Sequence, residues 1–135
     1  MAFVNAFFAN NKDLSSQIGI LIILANKATD NSKFVATGNI IVTTSIKCRY
    51  VTWAVLASEL YTTVYGVDLL IVISATLNWI TNWVRIPNIL TIICTDSYSL
   101  YKCLVKLGTM KEKRLMIDIM ALQESYKQHE LTEIW

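Results

Sequence analysis

Charged side chains are scarce in this sequence. They make up 16% of its 135 residues, against about 25% in ordinary soluble domains, while hydrophobic residues make up 54%. Such an oily chain raises the question of a membrane, but no window reads as a span. "IGILIILA" (18–25) is too short, and residues 69–84, charge-free for 16 residues, carry Asn78 and Asn82. A spanning helix takes about 20 predominantly apolar residues. The N-terminus lacks the basic start and cleavage pattern of a secretory signal. The expectation is an intracellular soluble domain, cytoplasmic or nuclear, with no membrane partner. Cysteine is also thin. Cys48, Cys94 and Cys103 are odd in number and lack a Cys-x-x-Cys spacing, which excludes a disulfide framework and a zinc site. They read as small buried thiols in a reducing compartment. The single histidine, His129, has no partner at ligand spacing. Repeats and low-complexity tracts are absent. At 135 residues the chain is long enough for one domain with a real core and too short for two.

A net charge of +2 is too small to mark a nucleic-acid binder by itself. Its distribution is more uneven. Between Arg85 and Arg114 lie six basic residues (Arg85, Lys102, Lys106, Lys111, Lys113, Arg114) and two acids (Asp96, Glu112). Two readings stand for this excess: contacts to phosphates, or the solvated face of helices.

Hydrophobic patterning gives an order of elements. "AFVNAFF" (2–8) reads as a strand, "NNKDLSS" (10–16) as a turn, "QIGILIILAN" (17–26) as a second strand and "KATDNSK" (27–33) as a second turn. The β-branched "TGNIIVTTSIK" (37–47) reads as a third strand, so the three form an antiparallel meander. From Val51 to Val84 there is no proline, one glycine (Gly66) and only two charges, Glu59 and Asp68. Trp53, Leu56, Leu60, Val64 and Val67 recur at helical spacing. "DLLIVISATL" is rich in β-branched residues, which weakens the helical signal in the second half. Pro87 ends this helix.

Leu90, Ile92, Ile93 and Cys94 then read as a strand buried on both faces. Leu100, Cys103, Leu104 and Leu107 mark a helix stopped by Gly108. Thr109 and Glu112 form a capping box for another helix, lined by Leu115, Ile119, Leu122 and Tyr126. "ELTEIW" (130–135) reads as the start of a last strand. The order βββ-α-β-α-α-β implies an α/β fold, a mixed sheet with helices on its faces.

In such a fold the ends of the first strand, the long helix and the fourth strand converge, gathering Asn5, Glu59 and Asp96. Asp96 stands where a buried strand turns into a helix. Either Asp96 or Ser97 caps that helix, or Asp96 holds a metal at the carboxyl end of the sheet. Glu59 is the only charge on the first seventeen residues of its helix. Glutamate is a good helix former, so the position alone does not decide its role. Two carboxylates on one sheet edge suit Mg²⁺, and a metal pair activates water in phosphodiester cleavage.

Three stretches carry a resemblance: "FANNKDLSSQIGILIILA", "CRYVTWAVLASELYTTVYG" and "CTDSYSLYKCLVKLGTMKEKRLMIDIMALQESYKQHELTEI". Nearly the whole chain resembles the ribonuclease H domain at the end of copia-type retrotransposon polyproteins, especially fungal ones. The stretch from Cys94 to Ile134 is the most specific part. The resemblance implies a five-stranded mixed sheet of order 3-2-1-4-5 flanked by helices, spanning residues 1–135 as a single domain. It also implies Mg²⁺-dependent cleavage of RNA in RNA–DNA hybrids by four carboxylates, with no small-molecule cofactor.

Carried over residue by residue, the family's helix Glu matches Glu59 and its Asp after strand four matches Asp96. These two are the expected catalytic and metal-binding residues. The family's first Asp stands in an Asp-Gly-Ser turn, where this sequence has Asn5, Ala6 and Phe7, so Phe7 adds bulk beside the site. The last Asp lies beyond the final strand, and the sequence stops at Trp135. The expectation is a degenerate, C-terminally truncated domain with activity impaired or lost. Asp96 then serves mainly as a cap. Asp13 and Asp68 are the local acids that would complete a weakly active site instead. Lys102, Lys106, Lys111, Lys113 and Arg114 are the expected contacts to a hybrid or other nucleic acid. The alternatives are a domesticated nucleic-acid-binding or assembly module, and a small membrane-associated protein. An uncovered final edge strand with Ile134 and Trp135 further implies self-association.

Overall fold

The computed structural model describes residues 1–30, 33–49, 54–105 and 113–135. The first strand, β1 (Ala2–Phe7), pairs antiparallel with β2 (Gln17–Asp30), which pairs antiparallel with β3 (Lys33–Lys47). The sheet is completed by β4 (Ile92–Thr95) and β5 (Glu133–Ile134), each parallel to its neighbour, in the order β3-β2-β1-β4-β5. The expected 3-2-1-4-5 sheet is the one observed.

Alternation decides which side of the strands is dry. Ala2, Val4 and Ala6 of β1 and Ile18, Ile20 and Ile22 of β2 are buried, while the residues between them are less so. The β2–β3 ribbon is longer than its sequence suggests. Pairing runs out to Asp30 and Lys33, where a turn was expected from residue 27, and a bulge shifts the register after Ile22. Backbone pairing in an antiparallel ribbon needs no buried face, so polar residues can extend it.

The long helix α1 (Val55–Trp83) crosses β1, β2 and β4. Its β-branched second half is helical as well. Once nucleated, each further residue adds a hydrogen bond, which outweighs a few tenths of a kcal/mol of propensity. Gly66 sets the closeness of the crossing, since a Cβ there would lie 2.5 Å from Val4 Cγ1. By length and composition α1 could cross a membrane, contrary to the sequence expectation that no window qualifies. Its first half instead packs in the core through Ala57, Leu60, Val67 and Leu70.

Two further helices, α2 (Tyr98–Val105) and α3 (Lys113–Lys127), share that core through Leu100, Leu104, Leu115, Ile119 and Leu122. Tyr126 does not complete the α3 stripe; it is exposed. Leu90 is exposed too, and only Ile92 and Ile93 of the expected buried strand are fully enclosed, because β4 begins two residues later. Helices therefore join one core, and Phe3, Asn5, Gly19, Leu21, Thr43 and Ser45 line an open depression across the antiparallel strands. The three cysteines are free, Cys48 buried and Cys94 and Cys103 half-buried. Trp53, Leu107, Gly108 and the Thr109–Glu112 capping box lie outside the described residues.

Candidate metal and nucleic-acid site

The parallel pairing of β1 with β4 aligns Val4 with Thr95. One step further along that register stand Asn5 and Asp96, and both line a shallow cleft of about 360 Å³ with Phe3, Thr95 and Trp135. Asp96 also borders a neighbouring cleft with Tyr98 and Tyr101. Asp96 is free to face these clefts because the capping is done next door. Ser97 Oγ accepts the Leu100 N–H at 3.4 Å, and the Ser97 N–H donates to Thr95 Oγ1 at 3.2 Å. The expectation that Asp96 now serves mainly as a cap is thus corrected: Ser97 holds that position.

Glu59 arrives from α1. Its neighbours Ser58, Thr62 and Thr63 are buried hydroxyls, and each is satisfied by a backbone carbonyl of the same helix: Val55 O, Ser58 O and Glu59 O. The Glu59 carboxyl is treated differently. The Ala6 N–H donates to it, yet its Oε2 is buried without a partner. Burial first, and then the charge of Asp96, raise its pKa from 4.5 to about 7. The structure therefore brings Glu59 and Asp96 into electrostatic contact and sets Asn5 beside Asp96. Sequence reasoning named all three residues. It did not show the raised pKa of Glu59, which comes from burial first and then from Asp96, 37 residues away in the chain.

Neither of the other local acids joins them. Asp13 is held in the β1–β2 loop by Lys47 and by Ser15, whose hydroxyl donates to it at 2.7 Å, and these bonds keep its carboxyl below the usual range. Asp68 is exposed nine residues along α1, which is about 14 Å down the axis and half a revolution round the helix. Among the described residues, no three Asp, Glu, His or Cys side chains are grouped to hold a metal ion. Phe7 is exposed at the end of β1 and does not fill the cleft.

The donor set can be tested against the Mg²⁺ that the resemblance implies. An orphaned Glu59 oxygen beside Asp96 suits one hydrated cation. It does not suit a pair, which needs more negative charge than two carboxylates and an amide bring.

Of the five basic residues, Lys102 is exposed on α2 with its Nζ 4.4 Å from the centre of the Tyr98 ring, at the margin of the Asp96 cleft. Lys113 and Arg114 are exposed at the start of α3. Lys106 and Lys111 lie outside the described residues.

No protein-family model and no curated protein matches this chain. Among solved structures it is similar to the crystal structure of RNase H1 from the halophilic archaeon Halobacterium salinarum NRC-1. The TM-score is 0.59 at 11% identity, covering 98% of this chain and 79% of that one. The fold is ribonuclease H-like.

Proposed function

We propose that this chain is a ribonuclease H-like domain of copia-type retrotransposon descent that binds nucleic acid, with RNA–DNA hybrids as the family substrate. Metal-dependent cleavage is impaired or lost in it. Descent rests on the three resembling stretches, which run through the same elements in the same order as the observed fold.

One observation carries the functional reading: among the described residues the acids that meet at this sheet edge are Glu59 and Asp96, with the amide of Asn5 beside Asp96. Phosphodiester hydrolysis needs positive charge placed at both the attacking and the leaving oxygen. Here the strongly perturbed group at the sheet edge is Glu59, whose carboxyl keeps its proton up to about pH 7. Such a group can pass a proton at neutral pH. Alone, it neither activates a water nor stabilises a departing oxyanion. Asn5 accepts or donates hydrogen bonds without adding the negative charge that would draw in a second cation.

Binding is supported by a separate set of side chains. Lys102 lies over the Tyr98 ring beside the Asp96 cleft, which puts a cation and an aromatic side chain at one margin. Lys113 and Arg114 follow on α3.

The test is hydrolysis of a labelled RNA–DNA hybrid by the purified chain in Mg²⁺ or Mn²⁺. No cleavage is expected. Robust metal-dependent cleavage that Glu59→Gln abolishes would overturn the loss of activity.

A further inference from the structure

Three aromatic side chains and one acid share the second of the two clefts at Asp96. Thr95, Asp96, Tyr98, Tyr101, Ile134 and Trp135 line a hollow of about 430 Å³, within the size range of small-molecule clefts. Backbone pairing holds one wall in place. The Trp135 N–H donates to Ile93 O at 2.9 Å and the Thr95 N–H to Trp135 O at 2.7 Å, which carries the β4–β5 pairing on past Ile134. The Trp135 indole N–H is spent on Glu133 Oε2 at 2.6 Å, so the ring has apolar surface left to offer. The other wall is α2, on which Tyr98 and Tyr101 stand three residues apart and so share a side of the helix. Tyr101 is half-buried against the core, and Tyr98 is exposed.

Charge at the cleft narrows what can enter it. The Lys102 ammonium lies 4.4 Å from the centre of the Tyr98 ring, where it repels an organic cation. The exposed Asp96 carboxylate, whose charge is already felt by Glu59, repels an anion. A flat, uncharged ring with hydrogen-bond donors on its edge meets both conditions. We propose that the cleft takes one unpaired guanine base, packed against Tyr101 and Trp135 with its Watson–Crick edge on the Asp96 carboxylate. This rests on the reading of the chain as a nucleic-acid binder and adds a base preference to it.

The carboxylate makes the choice of base. Its two oxygens only accept, and guanine sets two donors side by side, the ring N–H and the exocyclic amino group. Adenine and cytosine each place a ring acceptor next to their amino group, and uracil places its one N–H between two carbonyls. All three would turn a lone pair towards Asp96. Aromatic surface adds affinity without regard to base, since every base has a π face. Lys102 at the margin suits the attached phosphate. A paired base hides its Watson–Crick edge, so duplex binding stays indifferent to sequence and the preference belongs to single strands, ends and loops.

Fluorescence anisotropy tests this with labelled single-stranded uridine hexamers carrying one central guanosine, inosine or adenosine. Inosine lacks only the exocyclic amino group of guanosine. The guanosine oligonucleotide should bind tightest, with inosine about fivefold weaker and adenosine about tenfold weaker or more. Asp96→Ala, at an exposed position, should fold as the parent does and erase these ratios. The ratio is the readout because the lost negative charge alters attraction to all three backbones alike. Trp135→Leu should weaken all three by about fivefold or more and keep the ratios. Equal affinities for the three oligonucleotides, with an RNA–DNA hybrid still bound, would overturn the proposal alone. Ratios that survive in Asp96→Ala would overturn it too, since the preference would then come from elsewhere. Binding of neither the oligonucleotides nor the hybrid would overturn it together with the nucleic-acid reading.

Discussion

Glu59 and Asp96 reach one sheet edge from different elements, the first from α1 and the second from the turn after β4, and they meet as two acids with one unsatisfied oxygen, Glu59 Oε2. Burial costs the charged form of Glu59 its hydration, and the Asp96 charge adds repulsion. A single hydrogen bond from the Ala6 N–H opposes both without cancelling them. The pair is thus poised to take up a positive charge, which in the absence of a cation is a proton.

Stability should follow that proton. The folded-state pKa of Glu59 is raised from 4.5 to about 7, so the native chain binds more protons than the unfolded one between those values. The contribution is complete below about pH 4.5 and is lost as pH rises through 7, by about 3 kcal/mol at most. Urea unfolding at a series of pH values should show this fall. Glu59→Gln should flatten it and leave the variant more stable than the parent at pH 8. An equal fall in both proteins would mean that another group carries it.

Asn5→Asp adds a third negative charge beside Asp96. Without divalent ions it should lower the melting temperature and push Glu59 still further towards its protonated form. With Mn²⁺ it should gain more stability than the parent does, since ligand binding to the native state raises stability with the logarithm of ligand over Kd. Little hybrid cleavage should appear, because one restored carboxylate does not complete a metal pair. Thermal melts with and without Mn²⁺ check the first two expectations and a hybrid assay the third. Identical Mn²⁺ shifts in both proteins would show that position 5 does not contribute to cation binding.

Gly66 lets α1 lie close on β1. Alanine is favoured over glycine inside a helix by about 1 kcal/mol, but its Cβ would press on Val4 Cγ1. Overpacking of that kind costs about 1 to 3 kcal/mol, so Gly66→Ala should destabilise the chain on balance. Val4→Ala should relieve the clash, and a double-mutant cycle should give a favourable coupling between the two changes. Strict additivity in denaturant melts would mean that the helix shifts instead.

What was legible in the sequence divides along the range of the interactions involved. Alternation at Ala2, Val4 and Ala6, and at Ile18, Ile20 and Ile22, is a local signal, and the first two strands were read where it lies. Leu115, Ile119 and Leu122 did the same for α3. The end of the β2–β3 ribbon was not legible, because polar residues with turn chemistry pair as readily as they turn when the partner strand is already aligned. Leu90 was misplaced into the core because an apolar run does not show where pairing starts, and the wet outer face of α1 was invisible for a related reason. Apolar periodicity gives a helix its stripes but not what covers each one. The site needed the most distant information. Asn5, Glu59 and Asp96 were named from the expected convergence of element ends and then matched through a resemblance, whereas the raised pKa of Glu59, set by burial and by Asp96, required the chain segments to be placed together.

The basic residues make the last prediction. If Lys102, Lys113 and Arg114 neutralise phosphates, each pairing releases counterions, and the logarithm of hybrid affinity falls linearly with the logarithm of salt. Affinity should be weak, steeply salt-dependent and indifferent to sequence. Replacing all three with Gln should reduce the slope by about 0.7 to 0.9 for every phosphate no longer neutralised. Lys102→Gln alone should have a second effect, since it leaves Tyr98 without the cation over its ring and exposes that face for base stacking. Tyr98→Ala in the same background then separates stacking from charge: it should weaken binding without changing the salt slope, because stacking releases no counterions. Fluorescence anisotropy with a labelled hybrid over a range of salt concentrations reads both quantities. An unchanged slope in the triple variant would return these side chains to the solvated surface of α2 and α3.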